Sequence, residues 1–165
     1  MGRNIVVQVP TVTIDMTGMS YMTYAGRYRA AAQGLESTAA ADGFDPVPFQ
    51  LYCVSIELLL KAFLWYSRSA SKHLLKLTYR HDLVKLWHDA KKSGINRYAR
   101  VTPLRDEIIS LVGPYYKDRK FCYLDVVMVF RGYSSLKAQP RAIPTLRRLS
   151  LQLGRSLEKP VISAS

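Results

Sequence analysis

Hydrophobic residues recur every three or four positions along five stretches of the chain, and this spacing predicts five helices in series. The predicted helices begin near Ser20, Val47, His81, Thr102 and Pro144. The predicted fold class is therefore all-α, with a short extended N-terminal arm before the first helix.

The second predicted helix, from about Val47 to Ser67, is apolar on nearly every side. Its hydrophobic positions are Phe49, Tyr52, Cys53, Ile56, Leu59, Leu60, Phe63 and Leu64. A helix that is apolar around its circumference is typical of the middle of a bundle. In the first helix, a single stripe is predicted from Tyr21, Tyr24, Ala25, Tyr28, Ala31, Ala32 and Leu35.

Polar and special residues predict where the helices begin and end. Ser20 is a candidate cap for the first helix, and Asp82 or His81 for the third, which Gly94 would close. For the fourth helix, Thr102 followed by proline is a start signal. Gly113 followed by Pro114 predicts its end.

The last predicted helix, Pro144 to Lys159, has a clear inner and outer face. Its inward positions are Leu146, Leu149, Leu153 and Leu157. The predicted domain spans residues 19–160, between an arm at 1–18 and a tail at 161–165. The short apolar run 121–130 fits a buried strand or a short helix equally well.

Length and composition exclude several classes of protein. The 165 residues correspond to one domain, and the most apolar stretch, 51–66, is too short to span a membrane and contains Glu57 and Lys61. The segment after Arg3 is too short and polar for a signal peptide. With two cysteines and no C-x-x-C spacing, we expect a reduced cytoplasmic protein with no membrane association.

Charge is concentrated in the later part of the chain. The first 60 residues contain three basic and five acidic residues, whereas the remainder contains 21 basic and seven acidic, within a net charge of +12. Such an excess indicates phosphate-bearing partners, although by itself it describes only non-specific attraction.

Two charged residues interrupt the most apolar helix. Glu57 and Lys61 are four residues apart and therefore share one helix face. Burying an ion costs several kcal/mol unless it is paired, so the two side chains are expected to pair. This pair is either a structural salt bridge or part of a functional polar cluster, with His81 and Asp82 as further candidate members.

The segment SIELLLKAFLW, followed by a loop and HDLVKLW, resembles the core signature of HEPN domains (higher eukaryotes and prokaryotes nucleotide-binding). The matching residues are Ser55, Glu57, Leu58, Lys61, His81, Asp82, Leu83 and Leu86. The resemblance covers roughly residues 20–158. It implies an antiparallel up-down bundle of four to five helices, often dimeric, linked to RNA or nucleotide binding in defence and toxin–antitoxin systems.

Many members of that family are metal-independent ribonucleases with an R-x4–6-H motif. Here the spacing is met by Arg68 and His73, which makes them the candidate catalytic pair. The chain departs from the nuclease members, because this pair falls in the loop after the second helix and no histidine follows His88. The alternative interpretation is a chance spacing in a basic loop.

Cationic and aromatic residues alternate in the later part of the chain, a composition that suits nucleic acid. The candidate nucleic-acid-binding residues are Lys117, Arg119, Lys120, Tyr123, Arg131, Arg148 and Arg155. The structural alternative is that the tyrosines belong to the core and the charges to a solvated face.

The sequence contains no phosphate-loop, dinucleotide-binding or nucleophile-elbow motif, and no metal-ligand spacing, so neither cofactor nor metal is expected. Three hypotheses remain. The first is a module that binds RNA or nucleotide, the second a ribonuclease toxin using Arg68 and His73 or the Glu57, Lys61 and His81 centre. The third is a homodimer, or a protein that binds an antitoxin or other partner, through the leucines of the last helix.

Overall fold

The computed structural model describes residues 17–36, 44–67, 75, 78–122 and 133–163, and every element with regular secondary structure in these residues is helical. The α-helices are α1 (Gly18–Glu36), α2 (Pro46–Tyr66), α3 (Leu83–Lys92), α4 (Pro103–Lys117), α5 (Ser134–Lys137) and α6 (Ala142–Ser163). A 3-10 turn, Ile95–Arg97, follows α3. The all-α prediction is confirmed.

Helix α2 is the centre of the bundle, in contact with α1, α3, α4 and α6. All eight hydrophobic positions predicted for its buried surface are buried. Asp45 caps the helix, because its Oδ1 accepts a hydrogen bond from the Val47 backbone at 2.8 Å. Helix α2 is longer than the apolar stretch 51–66, so the prediction that it is too short to span a membrane is wrong by length and composition. However, 67% of its most apolar 18-residue stretch is buried inside the bundle, as in the core helix of a globular protein.

Helix α1 begins earlier than predicted and is capped by a different residue. The Thr17 hydroxyl accepts a hydrogen bond from the Ser20 backbone at 3.2 Å, so Ser20 lies inside the helix. Gly18 is buried, and a Cβ added there would lie 2.7 Å from the Trp65 ring and 2.8 Å from Val161. The first turn of α1 therefore packs closely against both α2 and α6.

The predicted single stripe on α1 is only partly correct. Tyr21, Ala25 and Ala32 are buried, whereas Tyr24 and Tyr28 are exposed. The helix packs against α2 and α6 with the face that contains these three buried residues. Tyr24 and Tyr28 remain on the solvent side, a distinction that spacing alone does not make.

The capping residues of α3 and α4 agree with the sequence. Asp82 accepts from the Lys85 backbone at 3.0 Å, and Thr102 accepts from the Arg105 backbone at 3.3 Å. Gly94, with a φ of +88°, follows the end of α3 in the left-handed region that glycine adopts readily.

The predicted end of α4 at Gly113–Pro114 is wrong, because the helix continues to Lys117. Gly113 is buried against α3, where an added Cβ would clash with a methyl group of Val84. One turn later Tyr116 is almost fully buried. The packing of these two residues favours a continued helix over the break that a proline usually causes.

Helix α6 packs its predicted inner face into the bundle, and Leu146, Leu149, Leu153 and Leu157 are fully buried. The prediction that these leucines pair with a second copy or an antitoxin is therefore wrong, because α1, α2 and α4 of the same chain cover this helix. The helix also extends to Ser163, and Val161, placed in the predicted tail, is buried.

Three polar contacts connect α1, α2 and α6. The fully buried Ser55 of α2 donates to the carbonyl of Ala25 at 2.8 Å, and its Oγ lies 2.7 Å from Oγ of Ser150 in α6. At the end of α1, Glu36 accepts from Arg147 at 3.0 Å. These bonds fix the relative position of α1, α2 and α6.

Some predictions fall on residues outside the described part of the chain. These are the N-terminal arm up to residue 16, the candidate pair Arg68 and His73, and residues 123–130 of the ambiguous apolar run. Phe121, at the start of that run, is buried in a turn after α4.

Candidate functional site

A cluster of polar side chains surrounds Glu57 inside the bundle. The Glu57 side chain is only 5% exposed. Its Oε1 accepts a hydrogen bond from Nζ of Lys61, one helical turn further along α2. Its Oε2 accepts from the hydroxyl of Tyr116 and lies 3.0 Å from Nδ1 of His81. The expected pairing of Glu57 with Lys61 is therefore present, with two further partners.

The members of this cluster come from three separate parts of the chain. Glu57 and Lys61 lie on α2, His81 lies in the turn before α3, and Tyr116 lies in the last turn of α4. Sequence reasoning placed the first three together but missed Tyr116. The residue lies beyond the point where Gly113–Pro114 was predicted to end the helix, so the pattern gave no reason to extend α4 to it.

Burial and hydrogen bonding act in opposite directions on the Glu57 carboxyl. Burial alone would raise its pKa, but the hydrogen bonds to His81, Lys61 and Tyr116, with the charge of Lys61, lower the pKa to about 2. Burial and the charge of Glu57 raise the pKa of Tyr116. At neutral pH the cluster thus contains an ionised carboxylate and a protonated tyrosine.

The turn before α3 has an unusual backbone. Arg80 has a φ of +32° and His81 a φ of +82°, so two consecutive non-glycine residues occupy the left-handed region. Such residues cost about 1–3 kcal/mol each, and they persist only where surrounding contacts hold them. The imidazole of His81 is nearly perpendicular to the Tyr116 ring, with centroids 5.6 Å apart. This geometry aims Nδ1 at Glu57 while 46% of the His81 side chain stays exposed.

Asp82 faces away from the buried cluster, although it is adjacent to His81. It caps α3, and its Oδ2 lies 2.7 Å from Nζ of Lys117 at the end of α4. Burial would raise the pKa of Asp82, but the Lys117 hydrogen bond lowers it overall. The same bond raises the pKa of Lys117. Asp82 thus connects the turn to the basic end of α4 and does not bind Glu57.

Exposed basic residues lie in this turn, in the first turn of α3 and at the end of α4. We call these residues, together with His81, the His81 patch. Its members are all exposed and are Arg80, His81, Lys85, Lys117, Arg119 and Lys120. Two of its lysines lie against aromatic rings. Nζ of Lys85 is 5.6 Å from the centre of the Tyr79 ring, and Nζ of Lys120 is 5.8 Å from that of Tyr115.

The structure brings together only part of the basic set that the sequence singled out. Lys117, Arg119 and Lys120 belong to the His81 patch. Arg148 is exposed on α6, while Arg155 lines a cleft of about 230 Å³ between α1 and α6 that shares no residue with the patch. Tyr123 and Arg131 lie outside the described residues, as do Arg68 and His73.

A second cleft, of about 370 Å³, lies where the ends of α2 and α3 meet. It is lined by Phe63, Tyr66, Ser67, Ser93, Gly94, Arg97 and Tyr98. Both helices direct their C-terminal carbonyls towards this end, which disfavours an anion there.

Metal binding requires several ligands in one place. In the part of the chain that the structure describes, no three histidine, cysteine or carboxylate side chains are arranged to hold a metal ion. The one buried carboxylate of the cluster, Glu57, is already bonded to three donors, including the Lys61 cation.

No family model matches the chain, and neither a curated protein nor a solved structure is significantly similar to it.

Proposed function

We propose that this chain is a HEPN-like helical domain that binds RNA, or a nucleotide of the same phosphate chemistry, through the His81 patch. The observation that carries the proposal is the placement of His81. Its Nδ1 is anchored on the buried Glu57, while nearly half of its side chain is exposed among cationic residues. We place the domain in the cytoplasm, in a defence or toxin–antitoxin setting.

The residues on which the resemblance depends support the proposal, because they are connected to one another and to neighbouring helices by hydrogen bonds. Glu57, Lys61 and His81, which are spread over 25 residues of sequence, are joined by hydrogen bonds to the same carboxylate. Ser55, two residues before Glu57, holds α2 against α1 and α6. Asp82 starts α3 and binds Lys117. The motif residues thus both build the bundle and bring α4 to the patch.

The charge of the patch suits a phosphate backbone. Its five cationic side chains are accompanied by two carboxylates, Asp82 and Asp118, which pair with Lys117 and Lys120. Exposed lysine and arginine side chains bind phosphates and release counterions, which is the main source of affinity for nucleic acid. The aromatic rings beside Lys85 and Lys120 add surfaces of the kind on which bases stack.

The homodimer that the resemblance implies is a further part of the proposal. The inner leucines of α6 are covered within one chain, so such a dimer would use another surface. Light scattering of the purified protein measures its oligomeric state directly.

Salt dependence of RNA binding tests the proposal. Binding of a fluorescent single-stranded RNA oligonucleotide is measured by polarisation at several salt concentrations. The variant Lys85→Gln/Lys120→Gln removes two charges from the patch. The matched control Lys92→Gln/Lys159→Gln removes two exposed lysines elsewhere, at the far end of α3 and near the end of α6.

We expect the affinity of the wild-type protein for RNA to fall steeply as the salt concentration rises. The slope of log K against log salt changes by about 0.7 for each phosphate contact, so the slope of the patch variant, which lacks two lysines, should be shallower by about 1.4. The control pair should leave the slope unchanged. A wild-type affinity that does not respond to salt, or an equal change of slope in both variants, would contradict binding of RNA through the His81 patch.

A further inference from the structure

The cleft between α1 and α6 combines an apolar lining with positive charge. Its volume is about 230 Å³, and its apolar lining comes from Met19, Met22 and the fully buried Leu59 of α2. Arg29 of α1 and Arg155 of α6 also line it. A ligand that fits such a cleft has an apolar part and a negative charge.

The guanidinium of Arg29 lies in this cleft with donors to spare. Its Nη1 donates to the backbone carbonyl of Ser150 at 3.5 Å, which is its one side-chain hydrogen bond within the described residues. No carboxylate in the same part of the chain pairs with Arg29 or Arg155. The remaining N–H groups of a guanidinium form a planar fork that matches the two oxygens of a carboxylate. Arg29 therefore presents an unneutralised fork to a ligand.

Two glycines shape the cleft. An added Cβ at Gly26, in the middle of α1, meets nothing within 4 Å, so the space beside it is open. An added Cβ at Gly154, in α6, would clash with Nη1 of Arg29. Glycine inside a helix is unfavourable compared with alanine. At these two positions its absence of a side chain leaves room for a ligand and for the guanidinium that would bind it.

The charges of the cleft favour a monoanion. Glu158 lines the cleft together with Arg29 and Arg155, so two guanidinium groups face one carboxylate. A ligand with a single negative charge neutralises this set. A phosphate monoester, with close to two negative charges at neutral pH, would leave the cleft negative.

We propose that the cleft between α1 and α6 binds a medium-chain aliphatic carboxylate. The carboxylate accepts hydrogen bonds from the fork of Arg29, with the exposed Arg155 beside it. The chain packs against Met19 and Met22 over Leu59, and the flexible thioether side chains adapt to its shape. The cleft is smaller than the roughly 300–1,000 Å³ of pockets for drug-sized ligands, which favours a chain such as that of octanoate over a long fatty acid.

This site goes beyond the proposed function. The cleft shares no residue with the His81 patch, so the binding of a carboxylate and the binding of RNA are measured independently. Failure of one leaves the other unaffected.

Calorimetric titration of the full chain with octanoate tests the site, at concentrations where octanoate is monomeric. Acetate has the carboxylate without the chain, and octylammonium has the chain with a positive head. We expect octanoate to bind at a single saturable site. Acetate should bind at least about tenfold more weakly, because each buried methylene adds affinity. Octylammonium should also bind at least about tenfold more weakly, because its charge opposes the two arginines.

The variant Gly26→Leu fills the cleft with a side chain, and Gly34→Leu, about two turns further along α1, is its matched control. An added Cβ meets nothing within 4 Å at either position, but only Gly26 lines the cleft. Leucine is a better helix former than glycine, so neither variant should lower the thermal midpoint. Gly26→Leu should weaken octanoate binding at least about tenfold by steric exclusion, and Gly34→Leu should bind like the wild type.

The variant Arg29→Gln tests the charge separately from the space. Glutamine still donates hydrogen bonds but has no charge, so octanoate affinity should fall by about tenfold or more, as expected when a hydrogen bond to a charged group is lost. A wild-type chain that does not bind octanoate, or a Gly26→Leu variant that binds it as tightly as the wild type, overturns the site. Equal affinity for octylammonium and octanoate, or an unchanged affinity in Arg29→Gln, overturns the assignment of a carboxylate.

Discussion

Replacing Glu57 with glutamine should destabilise the fold more than any other loss of a single charge in the described residues. The carboxylate accepts hydrogen bonds from Lys61, His81 and Tyr116. An amide of the same shape has one oxygen and one NH₂ group, so at least one of these donors meets another donor. The Lys61 ammonium, with its side chain only 11% exposed, then loses its counterion.

Two independent arguments give a similar loss of unfolding free energy for Glu57→Gln. The first starts from the pKa of Glu57, which the fold lowers from its ordinary value of 4.5 to about 2. At about 1.4 kcal/mol per pH unit, this shift corresponds to a stabilisation of the folded state on the order of 3 kcal/mol. Removing one partner from a buried ion pair typically costs about 3–5 kcal/mol. We therefore expect Glu57→Gln to lose about 3 kcal/mol of unfolding free energy at pH 7.

The pH dependence of the unfolding free energy gives a second test of the contribution of the Glu57 carboxylate. Because the folded chain lowers the pKa of Glu57, its stabilisation is fully present above pH 4.5 and disappears as the pH falls towards 2. Glutamine does not titrate. Urea unfolding followed by circular dichroism should show a difference of about 3 kcal/mol between wild type and variant at pH 7, and a much smaller one near pH 2.

The matched control is Asp106→Asn. Asp106 also accepts two hydrogen bonds, from Nε1 of Trp87 at 2.6 Å and from Lys91 at 2.7 Å, but its side chain is 39% exposed. Solvent screening should limit its loss to about 1 kcal/mol or less. Equal losses in the two variants, or a Glu57→Gln effect that does not change between pH 7 and pH 2, would refute this account of the buried cluster.

Two further predictions concern packing and buried hydroxyls. Gly18→Ala should lower the unfolding free energy by about 1–3 kcal/mol, because its Cβ would lie 2.7 Å from the Trp65 ring. A Cβ at Gly26 on the same helix meets nothing within 4 Å, so Gly26→Ala should raise the unfolding free energy by up to about 1 kcal/mol. Thermal unfolding measures both variants, and a change of the same sign in both would contradict the close packing at Gly18. Ser55→Ala should cost about 1–3 kcal/mol by leaving buried polar groups unpaired. Combined with Ser150→Ala, it should cost less than the sum of the single changes, and strict additivity in a double-mutant cycle would exclude coupling of the two hydroxyls.

The sequence determined the local features of this protein. Helical spacing located all the α-helices of the described residues except the short α5, and the unbroken apolar surface of the second one placed α2 at the centre. The caps at Asp82 and Thr102 followed from residue type and position. Glu57 and Lys61 were paired correctly because their spacing of four residues brings them together in any helix.

The tertiary structure decided everything that depends on contacts between distant segments. The exposure of Tyr24 and Tyr28 depends on which neighbours cover α1, and the extension of α4 to Tyr116 depends on packing that outweighs a proline. Tyr116 enters the Glu57 cluster only through that extension. Periodicity describes one helix at a time, whereas the energy that selects these positions comes from surfaces buried between helices. The sequence therefore predicted the pair at the centre of the site, and only the fold added the tyrosine, the strained histidine turn and the basic patch around it.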